Sequence, residues 1–170
     1  MKKESGLSIV EVILAIALSS FVLMIMANIM LKMNTYFQRS SARNVLDTDA
    51  RNCMTTMTRY LQQGKASSTA ISTPTNAPPY SRIDFVLASN TSTAYAFFYS
   101  QGTVQMQVTQ GGAQTAPQTL AKNVTSLNFT GDALDPGYVN VTLRLDAPIG
   151  SGKTEGLLLA NQIVHMVTTL

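Results

Sequence analysis

Residues 7–31 read LSIVEVILAIALSSFVLMIMANIML and contain one charged side chain, that of Glu11. At a rise of ~1.5 Å per residue, a helix of this length crosses a hydrocarbon core of ~30 Å with some tilt. A short polar segment, residues 1–6 (MKKESG), precedes it. The sequence therefore predicts a membrane-spanning N-terminal helix that anchors the residues after it.

Length and composition limit what those remaining residues form. The chain has 170 residues and a formal net charge of +3, with only 12% charged residues. After the helix, about 100 residues remain for one compact domain with a modest core. The basic residues are scattered and form no patch, so no nucleic-acid partner is predicted. Many Ser, Thr, Gln and Asn residues favour a β domain outside the cytosol, and the single cysteine permits no intrachain disulfide.

Residues 7–31 allow three interpretations. A cleavable secretory signal has an apolar core of about 7–15 residues followed by a small-x-small site. Ala15 and Ala17 are small, but apolar residues continue beyond them and Glu11 interrupts the core before them. A plain signal anchor fits the length, with Glu11 extending to the polar boundary about one turn away. Otherwise the carboxylate of Glu11 has a partner inside the membrane.

The residues around the polar boundary resemble a known signal. Gly6 followed by Leu7-Ser8-Ile9-Val10-Glu11 and an apolar helix is similar to the class III signal of the type IV prepilin family. That family contains the major and minor pilins and the pseudopilins of type II secretion. The resemblance implies that a prepilin peptidase cleaves between Gly6 and Leu7 on the cytoplasmic side and that Leu7 is N-methylated. It also implies that Glu11 neutralises the amino terminus of a neighbouring subunit during filament assembly.

The residue at position 7 bears on the subclass of pilin, and the flanking charges bear on the orientation of the helix in the membrane. Leu7 stands where phenylalanine is commonest in the family, which favours a minor subunit. Charge leaves the orientation open, because Lys2 and Lys3 precede the span and three cations follow it: Lys32, Arg39 and Arg43. The cytoplasmic N-terminus, in the bacterial inner membrane with the head on the periplasmic or extracellular side, is implied by the resemblance. The matured subunit would then reside in a pilus or pseudopilus.

The sequence after the span predicts a continuing helix. No Pro or Gly occurs between Leu7 and Gln63, and Gly64 stands where a C-terminal cap is expected. Residues 32–64 should form an amphipathic half, because apolar residues recur there at spacings of three and four. Cys53 falls in this apolar stripe and is expected to be a small buried hydrophobe. The stripe consists of Leu46, Ala50, Cys53, Met54, Met57, Tyr60 and Leu61.

Beyond the helix the pattern predicts a linker (65–81) and a β-rich head (82–170). Ser, Thr and Pro dominate Lys65–Tyr80, which shows no period. Later segments alternate with a period of two, and Gln101-Gly102 favours a hairpin. We therefore expect an α+β, pilin-like fold in which the second half of the helix packs on an antiparallel sheet. The predicted strands are Ile83–Ala88, Ala94–Tyr99, Val104–Val108, Val124–Phe129, Val139–Leu145, and Leu157–Leu159 continuing to Ile163–Val167.

A weaker resemblance extends over this second half. Its segments are similar to those of W-class minor pilins and the J-type pseudopilin of type II secretion. They are Arg51–Leu61, Ile83–Phe85, Tyr95–Tyr99, Leu120–Phe129 and Val139–Leu145.

Three features suggest chemistry but have simpler structural explanations. Residues 147–154 (APIGSGKT) approximate a phosphate-binding loop, although too little chain follows for a nucleotide fold. Asp132 and Asp135 could chelate calcium, but carboxylates in a Gly/Pro turn usually serve the turn itself. His165, the only histidine, is expected to be a sheet residue.

Together these observations predict a structural and assembly protein with no enzymatic activity and no cofactor. It would prime or cap a type IV pilus or a type II secretion pseudopilus after processing. The implied partners are the prepilin peptidase, other major and minor pilins or pseudopilins, and the inner membrane. The alternative from another class is an unprocessed, membrane-anchored periplasmic binding module. An NTPase built on Gly152-Lys153-Thr154 is the third and weakest hypothesis.

Overall fold

The computed structural model describes residues 8–75, 77–131, 135, 137–149 and 153–168. The chain divides into two compact units, Met1–Ser40 and Ser41–Leu170. Helix α1, Ile9–Gln62, begins in the first unit and ends in the second. Within the second unit it is followed by antiparallel strands, which confirms the α+β class.

Nine strands are assigned in the described residues, and they form two sheets instead of the single sheet that we predicted. The larger sheet has the order β1-β2-β3-β4-β5, with β6 also paired to β4, and the smaller has the order β7-β8-β9. A short 3-10 turn, Ala66–Ser68, precedes the first strand. The strands are β1 Ala70–Ser72, β2 Arg82–Leu87, β3 Asn90–Ser100, β4 Thr103–Gln110, β5 Ala113–Gln114, β6 Gln118–Ala121, β7 Val124–Gly131, β8 Tyr138–Ile149 and β9 Lys153–His165.

The chain leaves the larger sheet at Asn123. This residue has φ +57°, a left-handed conformation that asparagine tolerates better than most residues. The backbone N–H of Val124 then donates to the carbonyl of Gly102 (2.8 Å), and that of Phe129 donates to the carbonyl of Tyr80 (2.9 Å). These bonds tie β7 to loops next to the larger sheet without adding it to the strand order of that sheet.

The turn between β3 and β4 is the predicted two-residue hairpin. Ser100 pairs with Thr103, and the two residues between them, Gln101 and Gly102, have φ values of +45° and +75°. Positive φ at both central positions matches the backbone twist of the flanking strands, and glycine adopts it without steric cost.

The helix ends close to the predicted position, but not by the predicted mechanism. Gly64 is outside the left-handed region, and its N–H donates to the carbonyl of Leu61 (2.9 Å). A Cβ at Gly64 would lie 2.5 Å from Cε of Met166 and 2.7 Å from Cδ2 of Phe85. Glycine is needed here for close packing and not for a left-handed cap.

The predicted apolar stripe on the second half of α1 is confirmed. Its buried members are Leu46, Ala50, Cys53, Met54, Met57 and Leu61, and Tyr60 packs against the same core while partly buried. From the sheets, the alternating residues of β8 (Val139, Val141, Leu143 and Leu145) are buried, as are Leu127 and Phe129 of β7. The core of the second unit therefore lies between the stripe and the inner faces of both sheets.

An aromatic cluster joins the helix to the larger sheet. The ring centroids of Tyr60 and Tyr95 are 5.2 Å apart, and those of Phe85 and Phe97 are 5.8 Å apart. Phe85 also stacks on Tyr95, with 6.0 Å between centroids. Such pairs contribute about 0.5–1.5 kcal/mol each beyond the area they bury, so they help to fix α1 against β2 and β3.

Two segments expected to lack secondary structure contain some. The predicted linker includes the 3-10 turn and β1, and β5 lies between the predicted strands Val104–Val108 and Val124–Phe129. Main-chain bonds order the first of these: the Lys65 N–H donates to the carbonyl of Val86 (2.8 Å) and the Ala66 N–H to that of Val167 (3.0 Å). Side-chain periodicity could not reveal them, because Ala, Ser and Thr carry little pattern.

Cys53 is fully buried and is a free thiol. Burial, assisted by the negative charge of Asp49, raises the pKa of this thiol from its ordinary value of 9.0 to about 12. Since only the thiolate is strongly nucleophilic, Cys53 is unreactive in the folded protein at neutral pH. The expectation that Cys53 packs as a small hydrophobe is confirmed.

Replacing Gly64 with alanine should destabilise the second unit by roughly 1–3 kcal/mol, because the ring of Phe85 must move to admit the new methyl group. Urea unfolding of the full chain in detergent micelles, followed by far-UV circular dichroism, measures the effect. Gly131→Ala is the matched control, since its Cβ would meet only Cδ1 of Ile71 at 3.7 Å. Equal stability of the two variants would contradict the packing role of Gly64.

The Cys53 thiol should make unfolding depend on pH in the alkaline range. Its folded pKa is raised, so its stabilising contribution is complete below about pH 9 and is lost as the pH rises toward about 12. Between pH 9 and pH 11 the wild type should lose roughly 2–3 kcal/mol more than Cys53→Ala, which lacks the titrating group. The check is urea unfolding of both proteins across that range; parallel pH profiles would contradict the raised pKa.

Candidate functional site

The first half of α1 is apolar and exposed along its described length. From Ser8 to Ser41 every residue is exposed, including Ile9, Phe21 and Met30, which are 79%, 62% and 72% exposed. This part of the helix is long and apolar enough to cross a membrane. Ile9–Leu31 spans ~35 Å at the helical rise, which matches a hydrocarbon core. So large an exposed apolar surface marks contact with lipid or with other proteins.

Two polar side chains inside this apolar segment form hydrogen bonds with the backbone of the helix itself. The Ser20 hydroxyl donates to the carbonyl of Ile16 (2.8 Å), and the Asn28 amide donates to that of Met24 (2.9 Å). One turn after the span, the Thr35 hydroxyl donates to the carbonyl of Leu31 (3.1 Å). Bonds of this type reduce the cost of placing a hydroxyl or amide in hydrocarbon.

Glu11 differs from these side chains, because it carries a charge. It lies in the first turn of α1, where the Glu11 N–H donates to the carbonyl of Ser8 (2.9 Å). A carboxylate is favoured near a helix N-terminus, but this one faces apolar neighbours at Ala15 and Leu18, on the same side of the helix. In the described part of the chain, no ion pair includes Glu11.

A carboxylate in that setting can accept hydrogen bonds from a cation. In hydrocarbon it costs roughly 2.5–3.5 kcal/mol at the centre of a span and less near its end. An ammonium group beside it would offset that cost through charge-assisted hydrogen bonds. The predicted processing residues Gly6 and Leu7 lie outside the described residues.

Of the two aspartates that could chelate calcium, Asp135 lies within the described residues and Asp132 lies outside them. The Oδ1 atom of Asp135 accepts the Gly137 N–H (2.9 Å), and its carbonyl accepts the Tyr138 N–H (3.1 Å). This is turn chemistry of the kind that an aspartate provides. Among the residues that the structure describes, no group of three or more His, Cys, Asp and Glu side chains is placed to hold a metal ion.

The described residues of the segment resembling a phosphate-binding loop belong to a pair of antiparallel strands. Pro148 pairs with Thr154 and Ile149 with Lys153, so Lys153 begins β9. A phosphate-binding loop requires a helix to begin at its lysine, because the helix N-terminus holds the phosphates. The structure therefore contradicts the nucleotide interpretation at Lys153 and Thr154.

His165 lies in β9 as expected. It pairs with Tyr138 of β8, and the two rings meet edge to face with 4.7 Å between centroids. This contact gives the only histidine of the chain a packing role on the outer face of the smaller sheet.

A shallow groove that the sequence did not predict lies on that outer face. It has a volume of about 410 Å³ and is lined by Thr130, Gly131, Tyr138, Asn140 and Ile163. The Oδ1 atom of Asn140 is buried and has no hydrogen-bond partner within the described residues. The alternating polar residues of β7 and β8 predict a polar face, but the groove depends on how three strands end together.

The comparisons with known proteins return no match to this chain: no family model, no curated protein and no solved structure is significantly similar to it.

Proposed function

We propose that this chain is a prepilin that matures into a minor subunit of a type IV pilus or of a type II secretion pseudopilus. The observation that carries the proposal is the sequence Gly6-Leu7-Ser8-Ile9-Val10-Glu11 directly before an apolar helix that is exposed on every side. In this proposal the protein is a structural and assembly component and catalyses no reaction.

The proposed mechanism has two stages. Before assembly, the first half of α1 lies in the bacterial inner membrane, its N-terminus cytoplasmic and its head on the opposite side. A prepilin peptidase removes Met1–Gly6, and the Leu7 amine becomes a free, methylated cation. During assembly, helix–helix contacts with other pilins replace lipid contacts around Ile9–Leu31.

The exposure of the helix supports this exchange. Its apolar residues surround the axis instead of forming one stripe, so the segment can be covered by lipid and later by several neighbouring helices. Glu11, without an ion-pair partner in the described residues, then meets the amine of a neighbouring subunit in a low-dielectric interior. Loss of either member of this pair is strongly destabilising, because the other charge is then buried without a partner.

The second candidate function is an unprocessed, membrane-anchored periplasmic binding module. The groove lined by Tyr138, Asn140 and Ile163 favours it, since a concave surface of about 410 Å³ can hold a small ligand. Intact Met1–Gly6 in the mature protein would support this candidate.

Processing is tested by intact-protein mass spectrometry of membranes from cells that contain a prepilin peptidase. We expect the loss of Met1–Gly6 and one added methyl group on Leu7. Gly6→Val should retain the leader, because a β-branched side chain obstructs the backbone at the scissile bond. Full-length wild-type protein in such cells would contradict the proposal.

The role of Glu11 is tested by replacing it with glutamine, which keeps its size and removes its charge. Breaking a buried ion pair costs roughly 3–5 kcal/mol, so filament incorporation should fall about a hundredfold or more. Incorporation is measured by quantitative immunoblotting of sheared filaments against total membrane protein.

Glu4→Gln is the matched control for this variant. It makes the same chemical change in the leader that processing removes, and it should leave incorporation unchanged. Normal incorporation of the Glu11→Gln protein would show that the carboxylate has no role in assembly.

A further inference from the structure

Contrary to the expectation that the basic residues form no patch, α1 carries a basic aromatic face immediately after the span. Lys32, Tyr36, Arg39 and Arg43 follow one another at spacings of four, three and four, which places them on one side of a helix. All four are exposed, and Tyr36 is 71% exposed. We call these four residues the basic face.

The basic face has no acidic residue near it in the sequence that would neutralise its charge. The sequence contains no Asp or Glu between Glu11 and Asp47. Asp47 is engaged one turn further on, where its Oδ2 atom lies 2.7 Å from Nε of Arg51. Within the described residues, no ion pair includes Lys32, Arg39 or Arg43.

The position of the basic face matches the headgroup layer of a bilayer. Headgroups extend ~5–8 Å beyond the hydrocarbon core, and Tyr36 lies ~7 Å along the helix from Leu31. Helical side chains lean toward the N-terminus of their helix, which here is the direction of the span. The long side chains of Lys32 and Arg39 can therefore place their charges among the phosphates, and Arg43 lies within about a Debye length of them.

We propose that the basic face binds the headgroups of anionic phospholipids while the subunit resides in the membrane. Lys32 and Arg39 supply the attraction to phosphate, and the amphipathic ring of Tyr36 sits at the interface, where Tyr and Trp are enriched. This inference rests on the membrane-spanning part of the proposed function and is independent of the role of Glu11. It also explains how three cations are accommodated on the side of the span that carries the head.

The chain contains no tryptophan, so a single introduced tryptophan reports on its surroundings. The Phe37→Trp substitution places a tryptophan, which we call the interfacial reporter, beside the basic face. It leaves the four residues of that face unchanged. The full-length protein is reconstituted in vesicles of equal parts phosphatidylcholine and phosphatidylglycerol, with brominated acyl chains on one lipid or the other. Brominated phosphatidylglycerol should quench the interfacial reporter more strongly, since each cation enriches anionic lipid by roughly fivefold at low salt.

The preference should disappear in Lys32→Gln/Arg39→Gln and should weaken as salt is raised. The matched control is Lys122→Gln/Arg59→Gln, which removes two exposed cations of the second unit and should preserve the preference. Equal quenching by the two lipids in the parent protein, or a preference that survives Lys32→Gln/Arg39→Gln, would overturn the proposal.

A second reporter separates this outcome from failure of the proposed span. The Phe21→Trp substitution places a tryptophan, which we call the mid-span reporter, in the middle of the apolar segment. Both brominated lipids should quench its fluorescence there. An unquenched mid-span reporter would contradict the span and the basic-face proposal together. A quenched mid-span reporter with no lipid preference at the interfacial reporter would overturn the basic-face proposal alone. If Lys32→Gln/Arg39→Gln then reduced filament incorporation, the face would belong to contacts with a neighbouring subunit.

Discussion

Apolar side chains cover every side of α1 from Ile9 to Leu31, and water cannot solvate them without a large cost in free energy. Each Å² of apolar surface removed from water contributes about 25 cal/mol, so this segment strongly favours lipid or other helices around it. Two polar side chains inside it follow the same constraint, since Ser20 and Asn28 bond to the backbone of their own helix. Glu11 is the charged exception, and the proposed assembly mechanism depends on it.

The second half of the same helix meets a different requirement. From Leu46 to Leu61 its apolar residues are confined to one stripe, which is buried against two sheets, and polar residues occupy the other side. The basic face lies between this part and the exposed apolar segment that ends at Leu31. Along one continuous helix, the apolar residues therefore change from covering all sides to covering one side.

Strong periodicity made most of the fold predictable. The stripe from Leu46 to Leu61 and the alternation in β8 are predicted correctly, because both patterns reflect burial on a single face. The short strands β1 and β5 were not predictable, because they contain few apolar residues. The packing role of Gly64 was not predictable either, because its neighbours Met166 and Phe85 are distant in sequence. The groove near Asn140 was missed for a similar reason, since it depends on three strands. Glu11 could be identified from sequence because a charge in an apolar run stands out.

The most direct test of the account is the environment of the first half of α1 in the membrane. Nitroxide labels on single cysteines introduced from Val12 to Phe37 report accessibility to oxygen and to a water-soluble nickel chelate, and buried Cys53 should stay unlabelled. We expect oxygen accessibility to peak near the middle of the segment on all sides of the helix, with the nickel chelate excluded until residues beyond Leu31. Accessibility to the nickel chelate throughout, or a period of about 3.6 residues showing one side packed on protein before assembly, would contradict the account.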